Sequence, residues 1–356
     1  MRKYLLPNNG RFYKANLHCH SRLSDADLTV EQLKEEYKAR GYSIVAFSEH
    51  EVLFSHYDKL FDEDFIPITA YEVGVHGQGQ PYQYKKDLHM NLFAKDPHND
   101  VMPYFDPNEL NWLTSLNRDM TWELAKTLKH DGIVDGAERQ LYTAKVNDII
   151  RTANQKGFLV SLNHPNYSLL NCSDCIKYEG LWAVEVYNHS CFTHVGMPDD
   201  ERVYDEILRS GRKIFATATD DNHNHIPFDD PKNDSFGGFT MIKMENLNYA
   251  SVIEAMEKGN FYASQGPEIK ELYFQDGKIH IECSEAREIC MNSLTRAGKR
   301  VASDNCNLTS ADFEISDSLH GYVRFKVIDK HGKAAWTNPY YVKDFMDVID
   351  HRMAII

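Results

Sequence analysis

Apolar and polar positions alternate in blocks along the first two thirds of the chain. Short apolar runs are interspersed with amphipathic segments, the first of which carries acidic residues early, basic residues late and a glycine at its end, as helices favour. The strand-like runs are ANLHCH, SIVAFSEH, FIPITAYEV, FLVSLNHP, LWAVEVYNH and IFATATDD, and the helix-like segments are TVEQLKEEYKARG, AKVNDIIRTANQKG, ERVYDEILRSGRK and SVIEAMEKGNF. Repeated strand–helix units predict an α/β fold with a parallel sheet and helices outside it.

Two regions depart from this rhythm. Residues from about 74 to 140 hold a glycine-rich polar stretch, a short strand (HMNLFA) and a helix (TWELAKTLKH), which is long for a simple connection. We interpret this region as an insertion over the strand ends, serving as a lid or specificity element. From residue 267 the pattern changes to short alternating runs with a hairpin signal at Asp276-Gly277. The sequence therefore predicts a first domain over residues 1–266 and a small antiparallel β-sandwich over residues 267–356.

Residues that bind metal ions stand at the ends of most strand-like runs. His18 and His20 are two positions apart, so strand alternation puts both imidazoles on one face. The complete set is His18, His20, Asp25, His50, Glu72, His89, His164, Asp221 and His223. Functional groups of parallel sheets lie at the carboxyl ends of the strands, so this set predicts a single site. A closed or nearly closed barrel fits better than an open dinucleotide-binding sheet, because no G-x-G-x-x-G follows the first strand.

Composition narrows the classes of partner. The chain of 356 residues has 53 acidic and 39 basic residues and a formal net charge of −14, which argues against long nucleic acid. No apolar run approaches the roughly 18–20 residues that span a membrane. Seven cysteines without a small-scaffold framework and no visible signal peptide make the cytoplasm the expected location, although a removed signal peptide would leave no trace.

The residue types in the set indicate hydrolysis assisted by divalent metal ions. Imidazole and carboxylate together suit Zn, Mn or Fe(II), and a carboxylate such as Glu72 can bridge two cations. A metal lowers the pKa of bound water to about 7, and paired metals stabilise an in-line displacement. The sequence contains no nicotinamide or flavin motif, no G-x-S-x-G and no P-loop.

The ordered motifs resemble the PHP family, the polymerase and histidinol phosphatase domain. HCHSRLSDA, SEH, ITAYE, HMNLFA, NHP and DNH carry the resemblance over roughly residues 14–266. It implies a distorted (β/α)7, TIM-like barrel and a phosphoesterase site with two or three metals, in which Glu72, Asp221 and His223 are catalytic. By position, the first metal would be held by His18, His20, Glu72 and Asp221, the second by Glu72, His89 and His164, and the third by Asp25, His50 and His223.

The chain departs from the family pattern at several positions. Glu49 replaces the usual Asp before His50 and is expected to orient that imidazole. Asp220 replaces a small residue and is a rival to Asp221 as a ligand. His76, in the same insertion as His89, is an alternative to it.

Three hypotheses follow for the function. The first is a phosphoesterase acting on a small phosphorylated molecule, with Arg22, Asn188 and His189 as candidate substrate-binding donors. The second keeps the metals but cleaves an ester, amide or carbamate, because the C-terminal AAWTNPYYV resembles a PHP branch with such activities. Whether donors such as Arg22 point at the metals distinguishes the two. The third is a non-catalytic binding module. Glu185 is open to either a structural or a functional role.

Overall fold

The chain divides into two compact units, one of residues 10–263 and one of residues 1–9 with 264–356. The computed structural model describes residues 1–77, 84–116, 119–132, 141–316 and 319–346. Residues 1–9, which the sequence analysis placed with the first domain, group with the C-terminal residues. Lys3 and Tyr4 cause this grouping, because they pair antiparallel with Phe274 and Tyr273.

The secondary structure is mixed, with strands in both units. The strands are β1 (Lys3–Tyr4), β2 (Arg11–Cys19), β3 (Tyr42–His50), β4 (Ile66–His76), β5 (Asp87–Ala94), β6 (Val101–Met102), β7 (Lys129–His130), β8 (Phe158–Leu162), β9 (Ala183–Asn188), β10 (Phe215–Thr219), β11 (Phe239–Met244), β12 (Phe261–Ser264), β13 (Ile269–Gln275), β14 (Lys278–Ala286), β15 (Glu288–Ser293), β16 (Lys299–Ala302), β17 (Leu308–Glu314), β18 (Tyr322–Ile328), β19 (Ala334–Thr337) and β20 (Tyr340–Tyr341). The helices are α1 (Val30–Ala39), α2 (Tyr57–Leu60), α3 (Pro107–Ser115), α4 (Trp122–Ala125), α5 (Thr143–Gln155), α6 (Cys172–Cys175), α7 (His189–Val195), α8 (Glu201–Arg209), α9 (Tyr249–Lys258) and α10 (Val342–Phe345). None of the helices in the described part of the chain is long and apolar enough to cross a membrane.

The unit of residues 10–263 is built on one sheet in the order β10-β9-β8-β5-β4-β3-β2-β11-β12. The predicted α/β class is confirmed, with parallel pairing of β2, β3 and β4 and of β8, β9 and β10. The sheet is not parallel throughout, because β5 and β11 run antiparallel to their neighbours. The segment between β4 and β5, residues 77–86, is too short for the crossover that a parallel pair needs.

The direction of the strands determines where the candidate metal-binding residues come together. The carboxyl ends of the parallel strands lie at one edge, and the antiparallel β5 brings its beginning to that same edge. The far strand β10 also returns to β2 there, since the Asp221 amide donates to the His18 carbonyl (2.9 Å) and the His20 amide donates to the Asn222 carbonyl (3.3 Å). Residues distant in the sequence therefore converge at one end of the unit.

Two hydrophobic clusters cover the two faces of this sheet. Ile44 and Ala46 of β3 belong to one cluster, while Val45 and Phe47 belong to the other, as strand alternation requires. Helix α1 closes the second cluster with the buried Tyr37. Burial on both faces explains why β3 reads as an unbroken apolar run.

The insertion differs in detail from its prediction. The helix predicted for TWELAKTLKH covers only α4, because Lys129 and His130 pair with β6 instead. The longer helix α3 precedes it, capped by Asp106, whose side chain accepts from the Asn108 amide (2.8 Å). Residues 78–83, 117–118 and 133–140 of the insertion lie outside the described residues.

The other unit is antiparallel in its described part. Its strands follow the orders β1-β13-β14-β17 and β19-β18-β15-β16, with β20 beside β18. The predicted hairpin is confirmed: Gln275 pairs with Lys278, and Asp276 and Gly277 have φ of 50° and 77°. Two consecutive positive φ values are what a two-residue hairpin turn requires.

We expect Gly238→Ala to destabilise the first unit. A Cβ at this position would lie 2.1 Å from the Thr219 carbonyl oxygen, and overpacking of this kind costs about 1–3 kcal/mol. The matched control is Gly132→Ala, since a Cβ there meets nothing within 4 Å. Urea unfolding followed by circular dichroism measures the difference, and equal midpoints for the two variants would contradict the prediction.

Candidate metal centre

All nine sequence-predicted metal ligands lie together at the converging strand ends. His18 lies on β2 with His20 just after it, Asp25 in the next loop, His50 at the end of β3, Glu72 on β4, His89 on β5, His164 after β8, and Asp221 and His223 after β10. A cavity of about 540 Å³ is lined by seven of them. His18 and His20 are fully buried and contact the lining residues Glu72 and Asp221.

Two imidazoles and a carboxylate form the most deeply buried cluster. The Nε2 atoms of His18 and His20 lie 3.1 Å apart, and both lie within 3.1 Å of Asp221 Oδ1. Two ring nitrogens that face each other need a proton or a cation between them. These three groups therefore fit a divalent cation.

Glu72 occupies the middle of the site and approaches five imidazoles. Its oxygens lie 3.3 Å from His18 Nε2, 3.3 Å from His89 Nδ1, 3.5 Å from His164 Nε2, 2.9 Å from His50 Nδ1 and 3.5 Å from His20 Nε2. One ligand atom each from His50, Glu72 and His89 lies within 4.8 Å of the others. A carboxylate with imidazoles on both oxygens has the arrangement that bridges two cations.

A third cluster contains His20, Asp25, His50 and His223, whose ligand atoms also lie within 4.8 Å of one another. Asp25 Oδ2 lies 3.4 Å from His223 Nε2 and 3.6 Å from His50 Nε2. Asp25 Oδ1 is buried without a hydrogen-bond partner. A buried carboxylate oxygen is costly unless something satisfies it, and a metal ion would do so.

Neighbouring imidazoles lower the pKa of the carboxylates of the site. Burial would raise the pKa of Asp221, but His18 and His20 hold it well below its ordinary value. Burial would also raise the pKa of Glu72, but the charges of His18 and His89 hold it well below its ordinary value. Ionised carboxylates are the form that binds metals.

The buried histidines differ in charge. Burial, together with the charges of His50 and His223, lowers the pKa of His20 to about 4, so its ring is neutral at pH 7 and offers a lone pair. Burial would also lower the pKa of His18, but the surrounding carboxylates, Asp221 foremost, raise it well above its ordinary value. A cation that binds at His18 would therefore displace a proton.

Glu185 on β9 supports two of the histidines. One carboxylate oxygen accepts from His18 Nδ1 (2.7 Å) and Thr219 Oγ1 (2.8 Å). The other accepts from the His164 amide (2.9 Å) and Asn188 Nδ2 (3.0 Å). The contact to Nδ1 turns His18 Nε2 toward the site, an orienting role common behind metal-binding histidines. The sequence signal was a lone carboxylate inside the apolar run AVEVYN.

Two amides orient the carboxylates themselves. Asn163 Nδ2 donates to Glu72 Oε1 (2.7 Å), and Asn188 Nδ2 donates to Asp221 Oδ2 (3.1 Å). Asn188 was predicted to bind substrate, and the structure places its side chain on Asp221. Asn163 was missed, because a single Asn before His164 carries no distinctive spacing.

The other two predicted substrate donors do not lie in the cavity wall. Arg22 Nε donates to Asp119 Oδ1 (3.1 Å) at the surface. His189 Nδ1 lies 2.9 Å from the Tyr187 hydroxyl, and its ring packs against Gly237. Among the described residues that line the cavity, no Lys or Arg occurs, and histidines are the cationic candidates.

The positions that departed from the family pattern have other roles. Glu49 accepts from the Ser21 amide (3.1 Å) and Ser24 Oγ (2.6 Å), and so fixes the loop after His20 rather than the ring of His50. Asp220 accepts from the amides of residues 236–238 (2.8–2.9 Å) and from the Tyr37 hydroxyl (2.8 Å), away from the cavity.

His76, the alternative to His89, lies in the cavity wall with both ring nitrogens occupied. Nδ1 lies 2.5 Å from Asp87 Oδ1 and Nε2 lies 3.2 Å from Glu109 Oε1. Burial would lower the pKa of His76, but these two carboxylates raise it to about 9. His89, in contrast, directs Nδ1 to Glu72.

Three residues at the site have a left-handed backbone conformation. Glu51, His164 and Asp221 have φ of 62°, 28° and 55°, a region that costs a non-glycine residue about 1–3 kcal/mol. Hydrogen bonds hold two of these turns, from the Glu51 amide to the Glu72 carbonyl (2.8 Å) and from the Asp221 amide to the His18 carbonyl (2.9 Å). Strain held in this way at strand ends is characteristic of functional sites.

We expect Glu185→Gln to weaken metal binding about 10–100-fold, the usual effect of losing a group that orients a ligand. The control is Glu179→Gln, an exposed residue paired with Arg212. Calorimetric titration of the metal-free proteins with Mn²⁺ measures both. Equal affinities for the two variants would show that Glu185 does not orient a ligand.

No family model matches the chain, and no curated protein matches it. Among solved structures it is similar to a two-domain protein from Bacteroides vulgatus that contains a predicted PHP-like metal-dependent phosphoesterase, with 12% identity, a TM-score of 0.43 and coverage of 95% of this chain and 98% of that one. A candidate metal-dependent phosphoesterase from Bifidobacterium adolescentis has 16% identity and a TM-score of 0.35, over 64% of this chain and 93% of that one. An amidohydrolase from Chromobacterium violaceum, with bound sulfate and no metal, has 13% identity and a TM-score of 0.38, over 69% of this chain and 96% of that one. The first of these structures is described as PHP-like, the family that the motifs of this chain resemble.

Proposed function

We propose that the chain is a metal-dependent hydrolase that cleaves phosphoesters of small molecules. The observation that carries the proposal is Glu72, a buried carboxylate in reach of five imidazoles at the base of a cavity. Imidazoles and carboxylates in this number suit two or three ions of the zinc, manganese or iron type.

We also propose that residues 10–263 form the distorted (β/α)7 barrel that the motif resemblance implies. The return of β10 to β2 through Asp221 and Asn222 supports closure of the sheet. The antiparallel strands of the second unit are proposed to form the β-sandwich.

The ligand sets follow the positions of the motifs. His18, His20, Glu72 and Asp221 would hold one ion, Glu72, His89 and His164 a second, and Asp25, His50 and His223 a third. When bound, such ions supply an acidified water as nucleophile and positive charge for the charge that develops on the phosphate.

The chain's own residues prepare this site before substrate arrives. Asn163 donates to Glu72 Oε1 and so fixes the orientation of the carboxylate that would hold ions there. Glu185 accepts from His18 Nδ1 and so directs His18 Nε2 toward the site. His223 directs Nδ1 to the Asp221 carbonyl (3.0 Å), so its Nε2 faces Asp25. Groups that are already oriented need no reorganisation during the reaction.

A second candidate function is hydrolysis of a carboxyl ester, amide or carbamate. The observation that favours it is the absence of Lys and Arg among the described residues of the cavity wall, where phosphate sites commonly place Arg. Under the first candidate, the bound ions and the histidines of the cavity wall would supply the positive charge.

Hydrolysis of p-nitrophenyl phosphate and p-nitrophenyl acetate, which share a leaving group, tests the choice. We expect Mn²⁺-dependent phosphate release that a chelator abolishes, and much slower release from the acetate. Chelator-sensitive hydrolysis of the acetate alone would establish the second candidate. Rates that do not respond to the chelator would contradict both.

Substitution of Glu72 tests the site itself. We expect Glu72→Gln, which keeps the shape of the side chain, to lower kcat/KM more than about 100-fold, because even groups behind the ligands contribute 10–100-fold. Glu254→Gln, an exposed residue on α9 paired with Lys258, is the control. A rate within a few-fold of the control in a folded Glu72→Gln protein would remove Glu72 from the site.

A further inference from the structure

We propose that Glu109, on the insertion helix α3, positions the candidate metal ligand His89 through His76 and Asp87. The inference rests on the proposed function and concerns how the insertion acts on that site. It assigns a role to a helix that the sequence motifs leave unexplained.

The β4–β5 pair supplies the first part of the connection. His76 lies directly opposite Asp87, and Gly74 directly opposite His89, in the antiparallel register. Residues directly opposite share a face of the sheet, as do residues two apart on one strand. His76, Asp87 and His89 therefore face the same cavity as Glu72.

Successive contacts connect His89 to Asp87, Asp87 to His76, and His76 to Glu109. Asp87 places Oδ2 3.8 Å from His89 Nε2 and Oδ1 2.5 Å from His76 Nδ1. The second nitrogen of His76 lies 3.2 Å from Glu109 Oε1. Both ring nitrogens of His76 thus face carboxylates, so the ring is an imidazolium held between two anions.

Asp87 contacts His89 in the way that Glu185 contacts His18, through the ring nitrogen that faces away from the other candidate ligands. In each case one imidazole nitrogen faces Glu72 or Asp221 and the other faces a carboxylate. The contact between Asp87 and His89 (3.8 Å) is longer than the contact between Glu185 and His18 (2.7 Å). The orientation of Asp87 therefore depends more on its contact with His76.

Helix α3 is a fixed support for the far end of this connection. Leu110 and Leu113 on α3 are buried, and Asp106 caps its first turn. At Gly74 in the cavity wall, a Cβ would lie 3.2 Å from Glu51 Oε1 and 3.3 Å from His76 Cε1, so the glycine leaves room for the His76 ring. Loss of the Glu109 charge alone should therefore leave α3 in place while releasing His76.

The experiment titrates metal-free proteins with Mn²⁺ by calorimetry and records the visible absorption of the Co²⁺-loaded forms. Glu109→Gln should weaken one Mn²⁺ site about 10-fold and alter the Co²⁺ spectrum, as expected when a ligand loses its orientation. The control, Glu123→Gln, removes an exposed carboxylate of α4 that pairs with Lys126, and it should match the wild type in both measurements.

A double-mutant cycle separates positioning from a general structural effect. In an Asp87→Asn background, Glu109→Gln should have no further effect on Mn²⁺ affinity, because the connection is already broken. Additive losses, or a Glu109→Gln protein identical to the control, would overturn the inference. A wild type that binds no Mn²⁺ or Co²⁺ would overturn the proposed function as well, whereas metal binding without hydrolysis would overturn the proposed function alone.

Discussion

The concentration of charge around one buried carboxylate is the constraint on which the rest of this structure depends. Glu72 is 1% exposed, and burial of an ion in a protein interior is very costly unless partners surround it. Five imidazoles supply those partners. They come from four other strand ends, so the sheet must bring those ends together for the charge to be tolerated.

The convergence of imidazoles at one place creates electrostatic repulsion, and the polar groups behind them reduce it by orienting the rings. Imidazoles in close contact repel one another if all are protonated, and the ring of His20 stacks on His50 and His223 at centroid distances of 4.3 and 4.5 Å. Glu185 fixes which nitrogen of His18 faces inward, and Asn163 fixes the orientation of the Glu72 carboxylate. Polar networks of this kind specify one arrangement only when their members are satisfied.

The sequence predicted the class of the fold and most of the residues at this edge, because strand–helix alternation marks where strands end. Strand direction was not predictable in the same way, since the periodicity of an apolar run is identical for parallel and antiparallel strands. The choice between Asp220 and Asp221 was also open, because it depends on a left-handed turn at Asp221 (φ 55°) that sends the two carboxylates in different directions. The contact of Arg22 with Asp119 was not predictable either, because Asp119 lies 97 residues away, in the insertion.

Because β5 runs antiparallel to β4, the geometry of the residues on these strands and the length of the segment that connects them can vary independently. A parallel pair would need a long crossover connection. The register of β4 and β5 places Glu72 opposite Asn91 and Gly74 opposite His89, and this pairing does not depend on the length of the chain that connects the strands. Hairpin connections tolerate insertion at little free-energy cost, since closure entropy grows slowly with loop length. The connecting segment can therefore diverge in size and composition while the geometry of the candidate ligands on the two strands stays constant.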